Sequence, residues 1–210
     1  MCSRAVWLTA LLLAGGSVQA GDIEATITTP AGKPLADAAV VLEPVAGYTR
    51  GALPTATITQ RDRELIPYMS VVQVGTAIEF PNKDPFKHHL YSFSPAKTFE
   101  IKLYAGKPEK PIVFDKPGEV ALGCNIHDWM EAYVLVVDTP YFAKTDAHGR
   151  ARIADVPPGS YRLRWWHPRQ KQELPARIIM IGAAPLRLTQ KLDVSPRIIK
   201  PKPPLDKEQY

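Results

Sequence analysis

Residues 118–137 read GEVALGCNIHDWMEAYVLVV. The two ends of this stretch are short runs rich in branched and aromatic residues, which is typical of β-strands. Between them, Cys124, His127 and Met130 follow one another at intervals of three residues. A thiolate, an imidazole and a thioether form a soft ligand set that selects copper. Each of these residue types alone is ordinarily a core or surface side chain, but the three together predict a metal-binding loop between two strands.

A second imidazole would complete a plane of two histidines and one cysteine with a weak axial methionine, the arrangement of a blue copper centre. Residues 74–89, VGTAIEFPNKDPFKHH, offer two adjacent candidates, His88 and His89. Side chains alternate between the two faces of a strand, so these two histidines point in opposite directions. This alternation does not decide which histidine binds the metal, because each shares its face with an apolar or aromatic residue: His89 with Tyr91, and His88 with Leu90.

Residues 55–138 resemble the cupredoxins of the plastocyanin and azurin type. The resemblance rests on the Val-x-Gly-Thr, Glu-Phe-x-Asn-x-Asp and His elements of residues 74–88. A Pro-Gly pair at residues 117–118 and the Cys-x-x-His-x-x-Met loop follow in the expected order. The ligand spacing of that loop is that of amicyanin. The domain as a whole is similar to the plastocyanin-like proteins often labelled methylamine utilization proteins.

This resemblance implies a Greek-key β-sandwich that carries one type 1 copper. In such sequences the spacing from Asn82 assigns the upstream ligand to the first of the two histidines. The resemblance also implies that the edge of the second histidine ligand reaches solvent and is ringed by an apolar patch on which partners dock. The implied copper ligands are His88, Cys124, His127 and Met130.

The chain departs from the family pattern beside these ligands. Related cupredoxins carry Asn directly after the first histidine ligand, where its side chain ties the two ligand loops together, and this chain has His89 there. Ile126 and Asp128 stand where amicyanin-like loops carry prolines. These departures leave the ligands in place and bear on the rigidity of the loop, and hence on the reduction potential.

The rest of the chain is also predicted to be all-β. Its apolar stretches are short, and its 21 prolines argue against long helices. Regular strand spacing with turn signals favours β-sandwiches. The predicted strands are Ile23 to Thr29, Ala38 to Glu43, Ala56 to Gln60, Ser70 to Val74, Ala77 to Pro81, His89 to Ser94, Thr98 to Leu103, Glu119 to Gly123, Ala132 to Val137, Ala151 to Ile153, Tyr161 to Trp166, Ala176 to Ile181 and Leu186 to Leu192.

Two flanking segments carry a second resemblance. Residues 30–42 and 144–163 resemble the opening and the later part of the carboxypeptidase regulatory-like, or transthyretin-like, β-sandwich, with its Thr-Asp-x-x-Gly hairpin and Pro-Gly-x-Tyr strand. The termini of a domain often lie close together, which makes insertion plausible. We therefore expect a small sandwich formed by residues 21–49 and 140–194, with the cupredoxin domain, residues 50–139, inserted in it or packed beside it.

The two ends of the chain are read separately from the fold. Residues 1–20 contain Arg4, an apolar run and a small-residue cleavage pattern ending at Ala20, which predicts a signal peptide and a periplasmic protein. The apolar run is too short for a membrane span. Residues 195–210 are rich in Pro and Lys, and we expect them to be disordered.

Charge and cysteine count restrict the function. Cleavage of the predicted signal lowers the formal net charge from +5 to 25 − 21 = +4, without an uninterrupted basic block, so nucleic acid is not an expected partner. The same cleavage removes Cys2 and leaves Cys124 as the single thiol. One cysteine cannot form an internal disulfide, and it excludes the paired-thiolate dinuclear copper centre.

The expected function is that of an electron carrier rather than an enzyme, because a site with four protein ligands leaves no coordination position for a substrate. The resemblance implies redox partners such as a c-type cytochrome or a periplasmic dehydrogenase. The alternative is a periplasmic accessory or delivery protein that holds copper for the maturation of a redox enzyme. A third possibility is an interaction module in which copper is structural.

Overall fold

The computed structural model describes residues 20–49, 51, 53–199 and 201–202. The predicted signal peptide lies outside these residues, apart from Ala20. Within them the chain forms β-strands and no α-helix, so the prediction of an all-β fold is confirmed. None of the described residues belongs to a helix long and apolar enough to cross a membrane. The strands are β1 (Gly21–Thr28), β2 (Ala39–Pro44), β3 (Thr55–Thr57), β4 (Thr59–Arg61), β5 (Glu64–Ile66), β6 (Met69–Gln73), β7 (Thr76–Glu79), β8 (His88–Ser94), β9 (Lys97–Tyr104), β10 (Ile112–Phe114), β11 (Gly118–Gly123), β12 (Glu131–Val137), β13 (Tyr141–Lys144), β14 (Arg150–Val156), β15 (Gly159–Trp166), β16 (Arg177–Ile181) and β17 (Leu186–Lys191).

Strands from the two ends of the chain form one β-sandwich, called here the terminal sandwich. Its sheets have the strand orders β14-β1-β17 and β13-β2-β15-β16. Along β1, Ile23, Ala25 and Ile27 alternate inward, as a half-buried strand requires. They pack in one core cluster with Leu42 of β2 and Leu163 of β15 from the facing sheet. Burial of both inner faces holds the two sheets together.

The intervening strands form the central sandwich. One of its sheets has the order β10-β7-β3 and the other the order β6-β12-β11-β8-β9, with β4 and β5 as a separate hairpin. Ile78 and Phe114 face Leu90, Val120 and other residues of the larger sheet across one core cluster. The predicted domain boundaries at residues 49/50 and 139/140 fall in the β2–β3 and β12–β13 connections, and the domain division stays a prediction.

The two sandwiches contact each other through a third apolar cluster. Val41 of β2 and Trp166 of β15 pack with Met69 of β6 and Leu135 of β12. The Trp166 indole N–H also donates a hydrogen bond to the Glu119 carboxylate. The outer face of the larger central sheet is therefore partly covered by the terminal sandwich.

The described part of the C-terminal segment crosses onto both sandwiches without forming a strand. The Ser195 amide donates to the carbonyl of Arg169 at 2.8 Å. The Arg197 guanidinium lies 3.9 Å from the centre of the Tyr68 ring. Lys202 reaches the Glu64 carboxylate at 2.6 Å. These contacts belong to residues 195–202, whereas the disorder predicted for residues 195–210 stays a prediction.

His167, at the end of β15, is a buried histidine whose environment favours the neutral ring. It is 1% exposed, and its Nδ1 accepts the backbone N–H of Arg169 at 3.0 Å. Burial, assisted by the positive charge of Arg169 and opposed by Asp37, lowers the pKa of His167 from 6.5 to about 4.

We expect this histidine to make stability depend on pH. The unfolded chain takes up the proton near pH 6.5 and the folded protein only near pH 4. The stabilisation is therefore complete above pH 6.5 and is lost as the pH falls towards 4, by on the order of 3 kcal/mol. Urea unfolding at pH 7 and pH 4.5 measures it. Between pH 7 and pH 4.5, the free energy of unfolding should decrease less for His167→Asn than for the wild type. For the control His148→Asn, at an exposed turn, it should decrease as much as for the wild type. Equal decreases in all three proteins would contradict the expectation.

Candidate metal centre

Three potential metal ligands meet at one end of the central sandwich. His88 is the first residue of β8, Cys124 directly follows β11, and His127 lies in the loop that leads to β12. Strands β8 and β11 are neighbours in the sheet, with Gly123 opposite Tyr91. A Cβ atom at Gly123 would lie 2.9 Å from the Tyr91 ring, so glycine allows that ring to pack over the strand beside the cysteine.

The donor atoms of these three residues enclose a space of the size of a metal ion. The Nδ1 atoms of His88 and His127 are 3.1 Å apart. The Cys124 sulfur lies 4.0 Å from the first of these nitrogens and 3.8 Å from the second. Trigonal coordination with metal–nitrogen and metal–sulfur bonds of about 2.0 and 2.3 Å would separate the donors by roughly 3.5 and 3.7 Å. The His-Cys-His group can therefore hold a metal ion.

All three side chains are withdrawn from solvent. His88 and His127 are 0% exposed and Cys124 is 4% exposed. Polar groups buried to this extent require partners, and burial strengthens their mutual interactions. The three side chains are therefore held together inside the protein and are not mobile groups on its surface.

The surroundings of Cys124 favour the thiolate. Burial acts to raise the pKa of the thiol, but hydrogen bonds outweigh burial and lower the pKa below its ordinary value. The hydrogen bonds come from the His88 side chain and from the backbone amides of Ile126, His89 and His127. A thiolate is the form in which cysteine binds metals.

His88 is held from its other side by a carboxylate. Its Nε2 lies 2.7 Å from Oδ2 of Asp84, whose side chain is 6% exposed. Burial acts to lower the pKa of His88, whereas the hydrogen bonds to Cys124 and Asp84 act to raise it, and the net direction is upward. Asp84 was not among the residues predicted from the sequence, although it belongs to the Asn-x-Asp element that precedes the histidine.

The adjacent histidine, His89, lies outside the donor group. Its Nε2 is 2.8 Å from Oε1 of Glu100 on β9, and its ring lies 5.7 Å from that of Tyr91. The pairing of β8 with β9 shifts register between His88 and Leu90. The structure thus brings His88, not His89, beside Cys124, and this favours the choice of His88 as the ligand, which stays a proposal.

Met130 is buried close to the donor group. It is 2% exposed, belongs to the same core cluster as Cys124, and borders with it a cavity of about 510 Å³. Its backbone N–H donates to the carbonyl of His127 at 2.9 Å, which closes the ligand loop into a turn. The role of its thioether as axial ligand stays a prediction.

His127 does not reach solvent, and the expectation of an exposed edge is wrong. Its ring is covered by Trp129, at a centroid distance of 5.1 Å, and by Phe86, at 6.0 Å. The Arg63 guanidinium in turn lies 5.9 Å from the centre of the Trp129 ring. The bulky side chain of Trp129 lies two residues beyond the histidine and packs against its ring.

Known proteins show limited likeness to this chain. No protein-family model matches it, and no curated protein matches it. A copper-containing nitrite reductase from Thermus scotoductus SA-01 is 23% identical over 55% of this chain, with a TM-score of 0.38. This chain spans 28% of that reductase. A purple cupredoxin from Nitrosopumilus maritimus is 21% identical and covers 39% of this chain and 99% of its own length, with a TM-score of 0.35. The corresponding values for amicyanin from Paracoccus versutus are 12%, 46%, 92% and 0.33.

Substitution of the two adjacent histidines tests the donor group. We expect His88→Ala to weaken Zn²⁺ binding at least about 100-fold, because one of three donors is lost. His89→Ala should change the affinity less than about tenfold, because it removes only the partner of a half-exposed Glu100. Competition with a chromophoric chelator measures both affinities. The reverse ranking would assign the site to His89.

Proposed function

We propose that this protein is a single-copper electron carrier of the cupredoxin type. The observation that carries the proposal is the buried group of two imidazoles and one thiol, whose donor atoms lie 3.1 to 4.0 Å apart. This donor set is that of a blue copper centre. The proposed ligands are His88, Cys124 and His127, with Met130 as the weak axial ligand.

Bound copper would supply a one-electron couple, and the protein's part is to hold the donors still while the charge changes. His88 starts a strand, and Cys124 follows the strand paired with it, so rigid elements carry both side chains. Backbone N–H groups directed at the Cys124 sulfur stabilise its negative charge in either state. A set of donors that barely moves suits electron transfer.

The same burial weighs against the delivery alternative. Electrons pass across a few ångströms of packed side chains, whereas a copper ion moves to another protein only when the receiving ligands reach it. With His88 and His127 fully buried, ion transfer would require the ligand loop to open. Metal transfer to an apo-protein without electron exchange would favour delivery over the carrier function.

Electrons would enter and leave on the face formed by Phe86 and Trp129, because these side chains separate His127 from solvent. Both are partly exposed. Exposed Lys87, next to Phe86 in the chain, adds a positive charge near this face, and exposed Asp128, next to Trp129, adds a negative charge, so a partner would meet charges of both signs around an aromatic centre. We propose a periplasmic redox protein, such as a c-type cytochrome or a dehydrogenase, as that partner. The label of methylamine utilization, which similar domains often carry, does not identify this partner.

Colour tests the copper assignment. The copper-loaded protein should have an intense blue absorption that disappears on reduction, because a thiolate bound to Cu(II) gives a strong charge-transfer band. Cys124→Ala should abolish the band, and His148→Ala, at an exposed turn in the terminal sandwich, should leave it unchanged. A colourless Cu(II) form of the wild type would reject the proposal.

Charged redox reagents test the electron entry face. We expect Lys87→Glu to slow oxidation by ferricyanide about tenfold at low salt and to speed oxidation by a cationic cobalt complex. Lys116→Glu is the matched control, since Lys116 is exposed and precedes β11, at the opposite end of the strand from Cys124. Stopped-flow measurement of both reagents gives the rates. Equal effects of the two substitutions would move the entry face elsewhere.

A further inference from the structure

We propose that Asp84 is a positioning residue for the metal site: its buried carboxylate fixes the ring of His88 so that Nδ1 faces the ion. The inference rests on the proposed copper function and extends it to a residue outside the ligand set. It is carried by the 2.7 Å approach of Asp84 Oδ2 to His88 Nε2 and by the Nδ1 atom of the same ring pointing into the donor group.

The position of the proton on the His88 ring decides which of its nitrogens can bind a metal. A neutral imidazole has one N–H donor and one nitrogen with a free lone pair. An ionised carboxylate only accepts, so in the neutral ring that binds a metal Nε2 carries the hydrogen towards Asp84 and the lone pair is left on Nδ1. In the metal-free protein the same Nδ1 donates to the Cys124 thiolate. That nitrogen lies 3.1 Å from Nδ1 of His127 and 4.0 Å from the Cys124 sulfur. The carboxylate therefore selects the ring form that can bind a metal.

Asp84 is itself held in place by hydrogen bonds. Its Oδ1 accepts the backbone N–H of Asp62 at 2.7 Å, and its Oδ2 accepts that of Arg63 at 3.0 Å. Both residues form the turn between β4 and β5, and both have φ near 55°. The Asp84 amide donates in turn to Oδ1 of Asn82 at 3.0 Å. Two backbone N–H groups thus hold the carboxylate, and Asn82 holds the backbone that carries it.

Asn82 connects the loop that carries Asp84 to strand β9. The Asn82 side-chain amide donates to the carbonyl of Phe86 at 2.8 Å and to that of Tyr104 at 3.0 Å. Tyr104 is the residue paired with His88 across β8 and β9. The strand that carries the ligand and the loop that carries its carboxylate are therefore tied together by one asparagine.

The negative charge of Asp84 also has an electronic consequence. An anionic acceptor on the far nitrogen makes the imidazole a stronger donor, which stabilises the more highly charged Cu(II) relative to Cu(I). Removal of the charge should therefore raise the reduction potential and weaken metal binding. Loss of such a partner typically weakens metal binding about 10- to 100-fold.

A purely structural role of Asp84, holding the β4–β5 turn, predicts a different result. It would lower the free energy of unfolding and leave the potential and the metal affinity unchanged. Asp146 offers a matched control, because its carboxylate accepts the backbone N–H groups of His148 and Arg150 in a turn of the terminal sandwich.

The experiment compares Asp84→Asn, Asp84→Glu and Asp146→Asn with the wild type. Zn²⁺ affinity, the midpoint potential of the copper form and urea unfolding are measured for each. We expect Asp84→Asn to bind Zn²⁺ about 10- to 100-fold more weakly and to have a higher potential, Asp84→Glu to recover part of both, and Asp146→Asn to change neither. An Asp84→Asn protein with wild-type affinity and potential would overturn the inference.

A measurement on the wild type covers the case in which the variants do not fold. In the Zn²⁺-loaded protein, nitrogen-15 NMR should show the His88 proton on Nε2 and slow exchange of that proton with water. A proton on Nδ1, or rapid exchange on Nε2, would overturn the inference. Failure of the wild type to form a blue copper complex, with the Zn²⁺ results as expected, would reject the proposed function and leave the role of Asp84 intact.

Discussion

The site depends on the meeting of β8 and β11 at the end where both strands stop. One strand begins with His88 and the other ends directly before Cys124, so a single pairing between Gly123 and Tyr91 brings two donors together across 36 residues of chain. His127 needs only the short loop after Cys124 to reach the same point, because it lies three positions further along the chain.

Because the site is buried, every polar group in it needs a hydrogen-bond or charge partner. A buried thiolate and two imidazoles would destabilise the fold unless each had partners, and the protein provides them from several elements. The sulfur receives backbone N–H groups from the loop after Cys124 and from strand β8, and His88 receives the carboxylate of Asp84. Trp129 and Phe86 complete the enclosure over His127. The proposed metal ligands are therefore part of the folded core.

The terminal sandwich contributes to the same arrangement from outside. It packs on β6 and β12 through Val41 and Trp166 and covers one face of the sheet that carries the ligand loop. Burial of these apolar side chains holds the two sandwiches against each other. His88, Cys124 and His127 do not belong to this apolar cluster.

The amino-acid sequence by itself determined the all-β character, most of the strands and the three-residue spacing of Cys124, His127 and Met130, because these are local properties of neighbouring residues. It predicted β12 to within one residue and missed the short strands β5, β10 and β13. Strands β10 and β13 pair with strands distant in the chain, whereas β5 pairs with β4 in a local hairpin. The alternation of side chains left His88 and His89 open, and only the family resemblance pointed to His88. The approach of His88 to Cys124, the carboxylate of Asp84 behind it and the burial of His127 were decided by the tertiary structure. Each of these depends on which strands lie side by side and on the register shift at the start of β8, and contacts between residues far apart in the chain leave no periodic signal in the sequence.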